Sequence, residues 1–229
     1  MKRMLKFVFA VALVGALATG AGAYTAGTIP SGHGINDFIP LFGATHTEIG
    51  GYYGGQLYLS GGGGAATITA DYFGAEASYT NTFDWNSGAG YITQFTHTSG
   101  NDIPATLTPL DTHILNVSDG LLPFRFSYNA TAGFVVNGSN PDDSAHNTFP
   151  NFFVSFDPTI QAAGGATSGT YVWLFLDDGV FGTDDNHDDF GVRLTVSDGN
   201  ISTVPIPAAV WLLGSGLLGL AGIRRRFRK

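Results

Sequence analysis

The run Tyr171-Val172-Trp173-Leu174-Phe175-Leu176, followed across an acidic stretch by Phe190-Gly191-Val192-Arg193-Leu194-Thr195-Val196, decides the fold class. The first run is apolar throughout and rich in aromatic and β-branched residues, the pattern of a strand covered on both faces. In the second, Phe190, Val192, Leu194 and Val196 alternate with Gly191, Arg193, Thr195 and Ser197, so one face is buried and the other wet. Two such runs joined by a polar connection predict an antiparallel hairpin.

Similar short runs recur outward from this pair, at 65–73, 76–83, 91–96, 121–128, 133–137 and 151–156, separated by turn residues. No stretch between Tyr24 and Thr203 keeps a helical period. With 33 glycines, 18 phenylalanines and 9 tyrosines in 229 residues, the chain predicts an all-β domain, a β-sandwich of jelly-roll type. The Gly61–Gly64 tetrad reads as a loop, because it lacks the Lys and Ser or Thr of a phosphate-binding loop and no helix follows it.

Charge is unevenly placed. Lys2, Arg3 and Lys6 precede the first apolar run, and Arg224, Arg225, Arg226, Arg228 and Lys229 follow the last. That leaves Arg125 and Arg193 against all 18 carboxylates between residues 24 and 203, a net charge of −16. Such a domain repels nucleic acid and attracts cations. The absence of cysteine excludes thiol catalysis and disulfide stapling.

The two ends read as addresses. A basic n-region, the apolar run Phe7 to Leu17 and the small residues Ala21 and Ala23 before Tyr24 form a signal peptide over residues 1–23, handing the chain to a secretion translocon. Residues 24–203 form the β-domain. From 204 to 229 the chain runs Val204-Pro205-Ile206-Pro207, then an apolar segment from Ala208 to Ile223, then the arginine cluster. Those sixteen apolar residues make roughly 24 Å of helix, enough to span with local thinning. The positive-inside rule puts the arginines in the cytoplasm and the domain outside.

This proline motif, short apolar helix and arginine cluster resemble the PEP-CTERM sorting signal, with Val-Pro-Ile-Pro in place of Pro-Glu-Pro. The wording of Trp211 to Leu220 is particularly close. The resemblance implies recognition of Val204, Pro205, Ile206, Pro207, Arg224, Arg225 and Arg226 by a membrane-embedded exosortase. It further implies a precursor anchored in the inner membrane and delivery to the cell surface or an exopolysaccharide matrix, as in biofilms. The hairpin just before the tail also resembles a stretch found in other PEP-CTERM proteins, and this carries no activity with it.

Chemistry concentrates between the two decisive strands, where Asp177, Asp178, Asp184, Asp185, Asp188 and Asp189 place six carboxylates within 13 residues, beside Asn186 and His187. Carboxylates so crowded repel unless solvated or bridged by a cation. Ca²⁺ suits oxygen donors on a flexible Gly-containing loop, although the spacing is not that of an EF-hand. A solvated acidic loop and a transition-metal site centred on His187 remain as other readings.

Enzyme motifs are missing from the sequence. The six histidines lack metal-ligand spacing, no nucleophile elbow appears, and Asp142–Asp143 is not a pair spaced across a cleft. The expectation is a non-enzymatic domain. A polysaccharide-binding or polysaccharide-cleaving module is the alternative, with Tyr52, Tyr53, Tyr58 and Trp85 as stacking candidates.

Overall fold

The seven-stranded sheet that organises the protein has antiparallel neighbours throughout. Its order is β1 (Thr25–Ile29), β2 (Ile49–Tyr53), β13 (Asn151–Ser155), β15 (Tyr171–Asp177), β16 (Phe190–Val196), β4 (Thr67–Tyr72) and β9 (Asp111–Asn116). The computed structural model describes residues 24–30, 34–64, 66–129, 132–146, 150–179 and 185–203, all within the compact unit Gly22–Thr203. The anticipated cleavage residues Ala21 and Ala23, the sorting residues Val204 to Pro207 and Arg224 to Arg226, and Asp184 lie outside the described residues. No helix among the described residues is long and apolar enough to cross a membrane, and the span anticipated at 208–223 also lies outside them.

A second sheet has the order β12 (Gly133–Val136), β11 (Phe124–Tyr128), β6 (Asn81–Asn86) and β7 (Tyr91–His97). Between the two sheets lies the main core. Val172, Leu174 and Leu176 of β15 and Phe190, Val192 and Leu194 of β16 meet Phe83, Phe95, Phe124 and Phe126 there. Within it the rings of Phe124 and Phe152 lie 5.4 Å apart and those of Phe126 and Phe190 lie 5.9 Å apart, distances at which aromatic pairs attract beyond their buried area. The described residues form two smaller sheets as well. One has the order β10 (Gly120–Leu121), β3 (Tyr58–Ser60), β17 (Asn200–Ser202) and β14 (Ser168–Gly169); the other pairs β5 (Glu76–Ala77) with β8 (Gly100–Asn101).

β15 is apolar on both faces because both are covered. Its odd-numbered residues Trp173 and Phe175 enter a second core with Ile29, Ile49, Tyr53, Phe73 and Phe153, on the face away from the four-stranded sheet. The cover on that side is the segment leading into α1 (Ile39–Phe42), the one short helix among the described residues. Phe38 lies 5.4 Å from Phe175 and Phe42 lies 5.0 Å from Trp173, ring centre to ring centre. The predicted hairpin is present, with Leu176 opposite Phe190 and Tyr171 opposite Thr195. The predicted wet face of β16 is wet at one end only: Arg193 and Thr195 are half-buried, whereas Gly191 is buried beneath the ring of Phe38.

Sequence patterning anticipated β4, β7, β11, β12, β13, β15 and β16 to within a few residues. The predicted strand at 76–83 divides instead into β5 and the start of β6. The elements β1, β2, β3, β9 and β17 were not anticipated, nor were the short strands β8 and β14 and the helix α1. β2 reads Ile-Gly-Gly-Tyr-Tyr, and its glycines depress strand propensity. Tertiary contact requires them there, since a Cβ on Gly50 would stand 2.0 Å from the Ala162 carbonyl oxygen and one on Gly51 would stand 2.1 Å from that of Val154.

Candidate metal centre

Asp177 closes β15, and the register sets it opposite Asn151 of β13, so the two side chains share a face at the end of the second core. The chain returns at Asp185 and enters β16 at Phe190, bringing Asp185, Asn186, His187, Asp188 and Asp189 back over Asp177 and Asp178. Over its described residues the acidic stretch is therefore not a solvated loop. Asp177 is 3 %, Asp185 6 % and His187 0 % exposed, and Asp178, Asn186, Asp188 and Asp189 are buried too.

Donor atoms of Asp177, Asp185 and His187 lie within 4.8 Å of one another. His187 Nε2 faces Asn151 Oδ1 at 2.9 Å, and its ring packs against Tyr53 (5.6 Å) and Phe153 (5.9 Å). His187 Nδ1 lies 3.5 Å from Asp185 Oδ1, beyond a hydrogen bond, and neither atom has a hydrogen-bond partner. Asp185 Oδ2 is paired instead with His146 Nδ1 at 2.6 Å. Both histidines take left-handed backbone, φ +61° at His187 and +53° at His146, a conformation uncommon outside glycine.

Three other parts of the chain hold the loop in place. Asn36 Nδ2 donates to the carbonyls of Asn186 (2.6 Å) and His187 (3.1 Å), and Asp37 N donates to Asp188 Oδ2 (2.9 Å). Glu76 N donates to the Asp188 carbonyl, and Asn81 Nδ2 to Asp178 Oδ2 at 3.0 Å. Within the loop, Asp178 N donates to Asp189 Oδ2 and Gly179 N to Asp177 Oδ1.

Burial dominates the electrostatics. It pushes the Asp177 carboxyl up to about 8, with the neighbouring Asp185 adding to the rise, and it raises Asp189 well above the usual carboxylate range, with Asp178 adding there. Burial also lowers His187 to about 4, so the ring is neutral near pH 7. No lysine or arginine of residues 24–203 relieves this cluster, because both arginines are engaged elsewhere. Arg125 pairs with buried Asp84 (2.9 Å) while stacking on Phe134 (3.8 Å) and Tyr91 (4.3 Å). Arg193 pairs with buried Asp71 (2.7 Å) over Phe73 and Trp173.

Of the metal ligands predicted from sequence, Asp177 and Asp185 converge with His187, the residue on which the transition-metal reading was centred. Asn186, Asp188 and Asp178 are turned to hydrogen bonds with neighbouring segments, and Asp189 accepts from Asp178 N within the loop. Asn151, His146, Asn36 and Asn81 support the centre and were not anticipated. They reach it across sheet pairings and loops that no local spacing encodes.

The aromatic candidates for sugar stacking are corrected by burial. Tyr52, Tyr53 and Trp85 are core residues, with the hydroxyls of Tyr52 and Tyr53 turned onto the carbonyls of Gly165 and Thr28, and Tyr58 is half-buried. Asp142 accepts from Thr25 and Ser144, and Asp143 is buried, so the two carboxyls do not face each other across a cleft. An open groove of about 420 Å³ lies elsewhere, on the outer face of the large sheet, between Phe42, Leu107, Tyr171, Trp173 and Arg193.

No family model matches the chain, and no curated protein does. Among solved structures, the C-terminal domain of the BC2L-C lectin from Burkholderia cenocepacia is similar over 61 % of this chain and 93 % of that one, with 11 % identity and a TM-score of 0.34. A likeness of that size carries no argument about ligand or function.

Proposed function

We propose that this chain is an exported, non-enzymatic surface or matrix domain whose last hairpin is locked by a divalent cation. The observation that carries the cation is the enclosure of Asp177, Asp185 and His187 in a centre that no arginine or lysine of the domain reaches. Buried carboxyls that outnumber their one imidazole partner outside the centre, His146, must take up protons or an ion. The same enclosure argues against catalysis there, since a substrate needs access to the reacting groups and this centre is walled by Tyr53, Phe153 and the segment at Asn36. A two-sheet, jelly-roll-like body suits a passive extracellular module. The export route rests on the sequence of the two ends: signal-peptide removal before Tyr24, transient anchoring through residues 208–223, and processing by an exosortase near Val204–Pro207.

One experiment tests both halves of the proposal. Native mass spectrometry of the protein released from its producing cells should give a mass lacking residues 1–23 and Arg224–Lys229, with one divalent ion retained per chain. A mature form ending at Lys229 would reduce the tail to a simple anchor, and an ion-free mass at neutral pH would remove the cation lock. The polysaccharide-binding alternative has its opening at the groove beside Tyr171 and Trp173. A glycan array with the full-length protein decides it.

A further inference from the structure

The donor set also selects among ions. Nε2 of His187 faces Asn151 Oδ1, an acceptor, so Nε2 carries the ring proton and Nδ1 presents a lone pair. That lone pair points toward Asp185 Oδ1, another acceptor, at 3.5 Å within a fully buried site. Two acceptors facing each other at that distance are stabilised when an electrophile lies between them. The spacing matches the edge of a coordination shell whose bonds are about 2.0–2.1 Å long, which places neighbouring donors roughly 3.3 Å apart.

Oxygen supply argues the same way. Each carboxylate around the centre already gives one oxygen to a protein donor: Asp177 to Gly179 N, Asp185 to His146, Asp188 to Asp37 N, Asp189 to Asp178 N and Asp178 to Asn81. A calcium shell of six to eight oxygens needs donors beyond the three residues that converge among the described residues, whereas a small shell with one imidazole nitrogen starts from Asp177, Asp185 and His187 alone. The bond from His146 to Asp185 and that from His187 to Asn151 are the outer supports such a centre uses to orient its ligands.

We infer that the centre takes a zinc-class transition metal, not calcium, through Nδ1 of His187 and one carboxylate oxygen each of Asp177 and Asp185. This inference rests on the cation reading above and fixes the chemistry of the ion. The test uses full-length protein stripped with chelator and titrated with Co²⁺ as a coloured substitute for zinc. One equivalent should bind with the strong visible absorption of a low-coordinate site. Equimolar Zn²⁺ should displace it, and a roughly 100-fold excess of Ca²⁺ should not. His187→Gln should weaken Co²⁺ binding by more than the roughly 10–100-fold that loss of an outer support costs. Should that variant fail to fold, the competition on the unaltered protein still decides. Stabilisation by Ca²⁺ with no Co²⁺ or Zn²⁺ binding overturns the zinc assignment and leaves the cation lock standing. Binding of none of these ions overturns both. A Co²⁺ spectrum unchanged in a folded His187→Gln protein puts the ion elsewhere and overturns the assignment.

Discussion

His187 is neutral, fully buried and aimed at a carboxylate, and the metal-free protein should report this as a dependence of stability on pH. Asp177 has its carboxyl raised by burial from 3.8 to about 8. Between those values the folded chain holds a proton that the unfolded chain has lost, so its contribution is present below about pH 4 and is lost as pH rises through about 8. His187 works in the opposite direction, because its depressed value near 4 makes folding less favourable as pH falls below its ordinary 6.5. From pH 6.5 to 8 the acids dominate, because the His187 contribution fades within about one pH unit of 6.5, and Asp189 acts in the same sense as Asp177. Chelator-treated protein should therefore melt at a lower temperature at pH 8 than at pH 6.5, with a slope of at most about 1.4 kcal/mol per pH unit for each proton involved. Protein loaded with metal should lose this trend, because the ion replaces the protons and binds more tightly as they leave. Melting curves at the two pH values, with and without chelator, measure it, and a rise in stability toward pH 8 in stripped protein would contradict the assignment of burial as the cause.

β2 is the element where composition misleads most. Its two glycines admit the carbonyls of Ala162 and Val154, and Gly50 N donates to the Ile160 carbonyl. Gly51→Ala should force β2 away from β13, where the two strands already share the single register pair Tyr52–Val154. The expected cost is that of overpacking, roughly 1–3 kcal/mol by chemical denaturation, and a neutral result would show that the strand shifts freely. The strands legible in the sequence, β15 and β16 above all, alternate or fill their faces with large apolar side chains, which announce burial locally. β1 (Thr-Ala-Gly-Thr-Ile) and β2 (Ile-Gly-Gly-Tyr-Tyr) are interrupted by glycine, which hides their buried Ile and Tyr side chains from a pattern reading, and they acquire their place by pairing with each other and with β13. The centre divides in the same way. Its acidic residues stand together along the chain, whereas Asn151, His146 and Asn36 become its neighbours only once β13 pairs with β15 and the 34–42 segment folds over the second core.

At the scale of the whole domain, the stretch from Asp177 to Asp189 is the joint where three distant pieces of chain meet, through Asn36 and Asp37, through Glu76 and Asn81, and through Asn151. Removing the ion should loosen these together. Hydrogen exchange should show the amides of Asp37, Glu76 and Asp178 becoming unprotected in step after chelation, while β6 and β11, held by the main core, stay protected. Loss of protection at Asp178 alone would mean that the loop is a local feature and not a joint. The cover formed by Asn36 also sets a clock. An ion seated against His187 sits below the hydrogen bonds of Asn36 to the carbonyls of Asn186 and His187, so its residence time should depend on the opening of that segment as well as on the strength of its own bonds. A chain that folds after leaving the cell's interior would take in its ion then, from whatever the surroundings hold, and keep it long after those surroundings change.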